Sequence, residues 1–283
     1  MNTVEAKQKQ HKSWTMVAPG WGKYDSLMRA WASPVTERMI EMAAIREGSR
    51  VLDIACGAGE PALTIAERVG PEGAVLATDF VEEMIGYARS KAQALSLTNV
   101  EFRCVDGEVI DAMKNAFDAV TMRWGLMFMP DPVKCMHCAH TALRPGGKAV
   151  ISVWTEAANN PFVTVPLGVL KRHMDVPIPP PGAPGIFALA DPDRLHSIFA
   201  EAGFVDVSIE QVSLPMADFP TGVEYDTFIR EIAGPVASLF AELPVDKQAI
   251  VKQEIARDAE AHSAKPGRVY LHGVTHVVVG TKK

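Results

Sequence analysis

The stretch VLDIACGAGEPALTIAERV, residues 51–69, decides the fold. An apolar run ends in a Gly-x-Gly turn at Gly57 and Gly59, and Pro61 opens a segment whose apolar residues recur at helical spacing. Glycines suit such a turn because the backbone bends sharply and a ligand can approach where no Cβ intervenes. The free N–H groups of the following helix then face that ligand. Asp79 stands twenty residues after Gly59, at the end of the next apolar run, placed to accept both hydroxyls of a ribose. Strand, glycine turn, helix, strand and acid in this order predict a site for an adenosine-containing ligand.

Gly57-x-Gly59-x-x-Ala62 also satisfies a loose dinucleotide fingerprint. Asp53, four residues before Gly57, decides against it. A pyrophosphate over this turn would lie near that carboxylate, and like charges at ~4 Å with an effective dielectric of ~20 repel by several kcal/mol. An ammonium or a sulfonium is attracted by the same charge.

Outward from the turn, apolar runs at 50–55, 74–79, 100–105, 117–122 and 148–154 alternate with helix-length segments. Continuous apolar strands, each followed by a helix, predict a parallel sheet covered on both faces, a doubly wound α/β core. Residues 1–48 read as helical, with Ser33-Pro34 as an N-cap and first helical position, Val35, Met39, Met42 and Ile45 as one face, and Gly48 as the stop. After Trp154 seven prolines fall between Pro161 and Pro184, including Pro179-Pro180-Pro181, which argues against a long helix or a central strand there. A helix over 192–202, a strand over 204–212, a helical excursion over 222–261 and a last strand over 269–281 complete the pattern.

The 283 residues are 48% hydrophobic and 22% charged, enough apolar surface for a sizeable core. The net charge of −6, without a clustered basic run, argues against a nucleic-acid partner. The polar opening MNTVEAKQKQHKSW lacks the apolar centre of a secretory signal, no stretch approaches ~20 consecutive apolar residues, and four cysteines are too few for a disulfide scaffold. A cytoplasmic protein without an integral membrane segment is expected.

LDIACGAGEPA resembles the first motif of class I S-adenosylmethionine-dependent methyltransferases, LATDF the second and CVDGEVI the third. RWGLMFMPDP followed by LRPGGKAVISVW resembles the downstream signature of the ubiquinone/menaquinone-biosynthesis type. The resemblance implies S-adenosylmethionine as cofactor and a Rossmann-like, seven-stranded, mostly parallel sheet with the last strand reversed. It implies that Asp53, Ala55, Cys56, Gly57 and Gly59 hold the methionine part and Asp79 the ribose. Phe80 and Met84 would meet the adenine face, Asp106 with Gly107 and Glu108 its edge, Arg123 and Trp124 would flank the cofactor, and Tyr24, next to Asp25, would lie near the methionine end. The residues themselves support Asp106, an acid ending an apolar strand where an adenine amino group can donate, with a turn or helix cap as the alternative. The chain departs from the family at Glu60-Pro61, where a Gly or Thr often follows Gly59.

The expected organisation is then a helical segment over the cofactor (1–48), a cofactor-binding core (49–154), a proline-rich lid (155–190), a core helix and strand (191–213), a helical lid (214–267) and the final antiparallel strand (268–283). Trp14 and Trp21 pack a helix or roof the cofactor and substrate, and Trp154, Tyr225 and Phe228 are further candidates for the substrate pocket. The two lid segments are rich in apolar residues, from Phe162, Leu167 and Leu170 to Ile232, Leu239 and Phe240; most bury the lid helices, and any that line a cavity suit a small, largely hydrophobic acceptor. His173, in the proline-rich segment, is the candidate catalytic histidine. Cys135-Met136-His137-Cys138-Ala139-His140 invites a zinc reading, but Val133, Met136, His140 and Leu143 make an ordinary helix face and no second ligand pair follows, so no metal is expected.

The function expected is methyl transfer by in-line displacement to a small-molecule acceptor, with O, C, S or N open as the nucleophile and a homodimer admissible. Its rivals are another reaction on the same cofactor, such as decarboxylation or cyclisation, and a non-catalytic binding protein.

Overall fold

The computed structural model describes residues 3–111, 114–176 and 182–283. Seven strands, β1 (Arg50–Ile54), β2 (Ala74–Asp79), β3 (Val100–Cys104), β4 (Phe117–Arg123), β5 (Leu143–Trp154), β6 (Val205–Phe219) and β7 (Val269–Thr281), form one sheet in the order β3-β2-β1-β4-β5-β7-β6. β1 pairs in parallel with β2 and β4, β2 with β3, and β4 with β5, whereas β7 runs antiparallel to both β5 and β6. Val51 to Ile54 and Ala149 to Trp154 are buried at successive positions, so both faces of the central strands are covered. The seven-stranded, mostly parallel architecture is as expected, with the last strand reversed.

The helices are α1 (Thr3–Lys23), α2 (Asp25–Met42), α3 (Ala62–Val69), α4 (Glu82–Ala94), α5 (Pro132–Ala142), α6 (Pro161–His173), α7 (Pro192–Glu201), α8 (Gly222–Ile232), α9 (Gly234–Ala241) and α10 (Val245–Ala261). Chain order reverses between β1 and β4, so their carboxyl ends splay into a crevice, the place where open α/β sheets bind ligands.

Two local expectations are corrected by proline chemistry. Ser33-Pro34 does not start a helix but lies inside α2. Pro34 has no N–H for the carbonyl of Ala30, and Ser33 Oγ donates to that carbonyl at 2.9 Å. The proline-rich segment contains α6, with Pro161 in its first turn and Pro166 inside. Pro166 leaves the carbonyl of Phe162 without its helical donor, and the hydroxyl of Tyr225 supplies one at 2.5 Å. Pro179-Pro180-Pro181 lies outside the described residues. β6 runs to Phe219, past the expected 204–212, because β7 pairs with it as far as Val269.

Candidate functional site: a crevice with a nucleotide end and an apolar end

One cavity opens beyond the carboxyl ends of β1, β2, β3 and β4. Its wall takes Ala55 to Ala58 from the glycine turn, Asp79 and Phe80 after β2, Val105 to Glu108 after β3 and Arg123 to Gly125 after β4. α1 adds Lys7, Gln10, Trp14 and Trp21, and α2 adds Asp25, Met28 and Arg29.

At the nucleotide end Gly57 adopts φ +53°, and a Cβ there would point into open space, so the turn leaves room for a ligand against the backbone. The N–H of Gly57 donates to Asp79 Oδ2 at 2.9 Å and that of Val81 to Oδ1 at 3.0 Å. A carboxylate offers about four lone-pair sites, so Asp79 can still accept from ribose hydroxyls. Burial pushes its pKa up to about 6, against the opposing pull of the backbone N–H groups of Val81, Gly57 and Phe80. Phe80 and Met84 supply an apolar wall, with His11 of α1 edge-on to the Phe80 ring at 5.5 Å. Asp106 Oδ1 accepts the Glu108 N–H at 2.9 Å, the cap role also considered for it, while Oδ2 accepts Lys7 Nζ at 2.5 Å. The same ammonium lies 2.6 Å from Glu108 Oε2, whose other oxygen accepts the Asp131 N–H at 2.8 Å. Burial works against the Lys7 charge, but its bonds to Asp106 and Glu108 outweigh this and raise its pKa.

The charged groups around the turn differ from the expected set. Asp53 is fully buried and does not line the cavity. Thr121 Oγ1 donates to its Oδ1 at 2.5 Å, Oδ2 has no hydrogen-bond partner, and burial pushes its pKa up to about 7. Gly59 lies behind the turn, against Leu63 of α3, and Tyr24 packs edge-on to Phe228 at 5.0 Å, so neither lines the cavity. Asp25 and Glu60, by contrast, do. Lys91 pairs with Asp25 and also donates to the carbonyl of Ala58 at 3.1 Å. Arg123 is buried, donating to Thr36 Oγ1 at 2.8 Å and to the Glu60 carbonyl at 3.3 Å; burial lowers its pKa, with Glu60 and Asp53 opposing.

Ala55 (φ +57°) and Trp124 (φ +58°) both hold the left-handed conformation, which costs a non-glycine residue about 1–2 kcal/mol. Trp124 is fixed there by its Nε1, which donates to Thr275 Oγ1 of β7 at 3.1 Å. Its ring stacks on Trp154 at 4.5 Å and 17°, and Trp154 leans on Phe162 at 4.8 Å. Met28, Ile186, Met216 and Ile232 complete this apolar end with Trp21, whose Nε1 donates to the carbonyl of Ile232 at 2.9 Å.

Three candidates stand elsewhere. Tyr225 and Phe228 are fully buried in α8, Tyr225 as the donor that Pro166 requires and Phe228 among Tyr24, Trp31 and Phe219. His173 closes α6 with Nε2 3.1 Å from Glu254 Oε2 and does not line the cavity. In α5 the inward face is Cys135, Met136, Ala139 and Ala142, and among the described residues no group of three or more His, Cys, Asp or Glu gathers as a metal site. Lys7, Gln10 and Arg29 were not singled out from the sequence: a helical period identifies a buried face but does not say which sheet edge that face will meet.

A family model described as a methyltransferase domain matches residues 45–203. The demethylmenaquinone methyltransferase of Listeria welshimeri is 28% identical over 151 residues, which cover 52% of this chain and only 62% of that protein. The corresponding protein of Shouchella clausii is 28% identical over 225 residues, 74% of this chain and 84% of its own. The YcgJ protein of Bacillus subtilis shares the fold, with a TM-score of 0.58 and 20% identity over 88% of this chain and 97% of that one. A glycine turn open to a ligand, a buried carboxylate beside it and a match over more than half of the sequence converge: this chain belongs to the methyltransferase-domain family.

Proposed function

We propose that this methyltransferase acts on a small, largely apolar acceptor held at the indole-lined end of the cavity. One observation carries the reading: the same cavity that contains Asp79 and Asp106 continues to Trp124, Trp154, Phe162, Ile186 and Met216. Asp79 receives the ribose hydroxyls, Phe80 and Met84 the adenine face, Asp106 the adenine amino group, and the turn from Ala55 to Gly57 the chain leading to sulfur. Bound S-adenosylmethionine supplies an electrophilic methyl group on a sulfonium.

The protein's part is to align acceptor and methyl in line and to exclude water. Trp124 and Trp154 offer flat rigid faces for alignment, and the segments 155–190 and 214–267 act as the lid. No histidine lines the cavity among the described residues, so any proton released by the acceptor passes to a cavity carboxylate or to solvent.

Because the relatives are named for demethylmenaquinone, demethylated naphthoquinols head the acceptor panel, followed by phenols, thiols and amines. Incubation with methyl-deuterated S-adenosylmethionine should give labelled product and S-adenosylhomocysteine in equal amounts by mass spectrometry. Conversion of a substrate with the cofactor intact would instead point to cyclisation or another reaction on the same site.

A further inference from the structure

We propose that Glu60 and Arg29 read the amino-acid tail of the cofactor, Glu60 Oε1 taking the ammonium and Arg29 the carboxylate; this rests on the cofactor assignment above. Four carboxylates stand around the glycine turn, and three are committed. Asp53 is sealed behind the wall, Asp25 is paired with Lys91, and Asp79 holds the Gly57 and Val81 N–H groups on the ribose side.

Glu60 differs from them. Its side chain is 6% exposed and lines the cavity. Thr64 Oγ1 donates to Oε2 at 2.7 Å, which fixes the carboxylate, while Oε1 is buried and accepts no hydrogen bond. The guanidinium of Arg123 holds the Glu60 backbone carbonyl, so the residue is anchored at both ends. A preorganised carboxylate oxygen with unused capacity is what an ammonium needs for charge-assisted hydrogen bonds.

Arg29 Nε lies 3.4 Å from that same oxygen, too poorly aligned for a hydrogen bond, and its Nη2 donates to Glu67 at 2.6 Å. A guanidinium carries five donors in a planar fork suited to a carboxylate. In the free protein the two side chains balance each other's charge. A zwitterion laid between them, ammonium toward Glu60 and carboxylate toward Arg29, lets each ion exchange one opposite charge for another, and none is left unpaired.

Three nucleosides separate the contacts. S-Adenosylhomocysteine carries both tail charges, decarboxylated S-adenosylmethionine only the ammonium, and 5′-methylthioadenosine neither. By calorimetry, Glu60→Gln should weaken the first two by about tenfold or more and leave the third within about twofold. Arg29→Gln should weaken only S-adenosylhomocysteine. Glu60→Gln binding S-adenosylhomocysteine like the parent, or losing all three nucleosides alike, would overturn the assignment; the second result, in a variant with parental melting behaviour, would mark Glu60 as a support of the turn. A parent protein that binds none of the three would overturn the cofactor assignment itself, and this inference with it.

Discussion

Asp79 ties its pKa to nucleoside binding. In the proposed binding mode ribose hydroxyls donate to the ionised carboxylate, so binding favours that form and affinity should follow its population. With the free-state value near 6, S-adenosylhomocysteine affinity should fall up to tenfold per unit as pH drops below about 6 and stay flat above it. Calorimetry at pH 5, 6, 7 and 8 checks this, and Asp79→Asn should cost about 1.5–3 kcal/mol for each charge-assisted bond lost. Asp53 acts on stability instead. Its folded-state value, about 7, lies above the ordinary aspartate value of 3.8, so the native state holds the proton longer and stability contributed by the neutral form is lost as pH rises from about 4 to about 7. Asp53→Asn should therefore melt progressively higher relative to the parent between pH 5 and pH 8. Asp79 and Asp106 were legible from sequence because each follows directly from a strand end. Glu60 was visible only as a departure from the family pattern, and its free oxygen depends on Thr64 and Arg29, which no spacing rule joins to it.

Among the helices with interior prolines, α2 and α6 each have a side chain that makes up for the missing donor. The bond from Tyr225 to the Phe162 carbonyl joins α8 to α6, holding the backbone of a residue whose ring faces the cavity. Tyr225→Phe should lower stability by about 1–3 kcal/mol, the cost of a buried unpaired carbonyl. Phe162→Ala should raise acceptor KM while leaving S-adenosylhomocysteine affinity unchanged, and thermal melts and calorimetry on both variants separate support from contact. β2 and β7 were readable to the residue because their apolar runs end at sharp breaks. α6 was not, since prolines count against a helix in any local reading and the compensating hydroxyl lies 59 residues further along the chain than Pro166.

Over the whole molecule α1 spans both ends of the cavity. Its first turns hold Asp106 and Glu108 through Lys7, its middle meets α9 through Ser13 on Ser238, and its last turns hold α8 through Trp21 on Ile232 and Lys23 on Glu231. Gly20 permits this closeness, because a Cβ there would come within 2.0 Å of the Glu231 carbonyl oxygen. Gly20→Ala should force α1 off α8, cost about 1–3 kcal/mol of stability and weaken cofactor and acceptor binding together, as calorimetry and melting curves would report. No helix among the described residues is long and apolar enough to cross a membrane. The doubly wound sheet was legible because its strands are local events, but the placement of α1 was not, since helical period alone cannot choose among the surfaces that a sheet and a lid present. The ammonium of Lys7 also sets a tempo. Lys7 clamps the first turns of α1 to two carboxylates of the cavity wall, so release of spent nucleoside should quicken as added salt screens that grip; in Lys7→Met release should be fast at every ionic strength, a contrast that stopped-flow displacement can time.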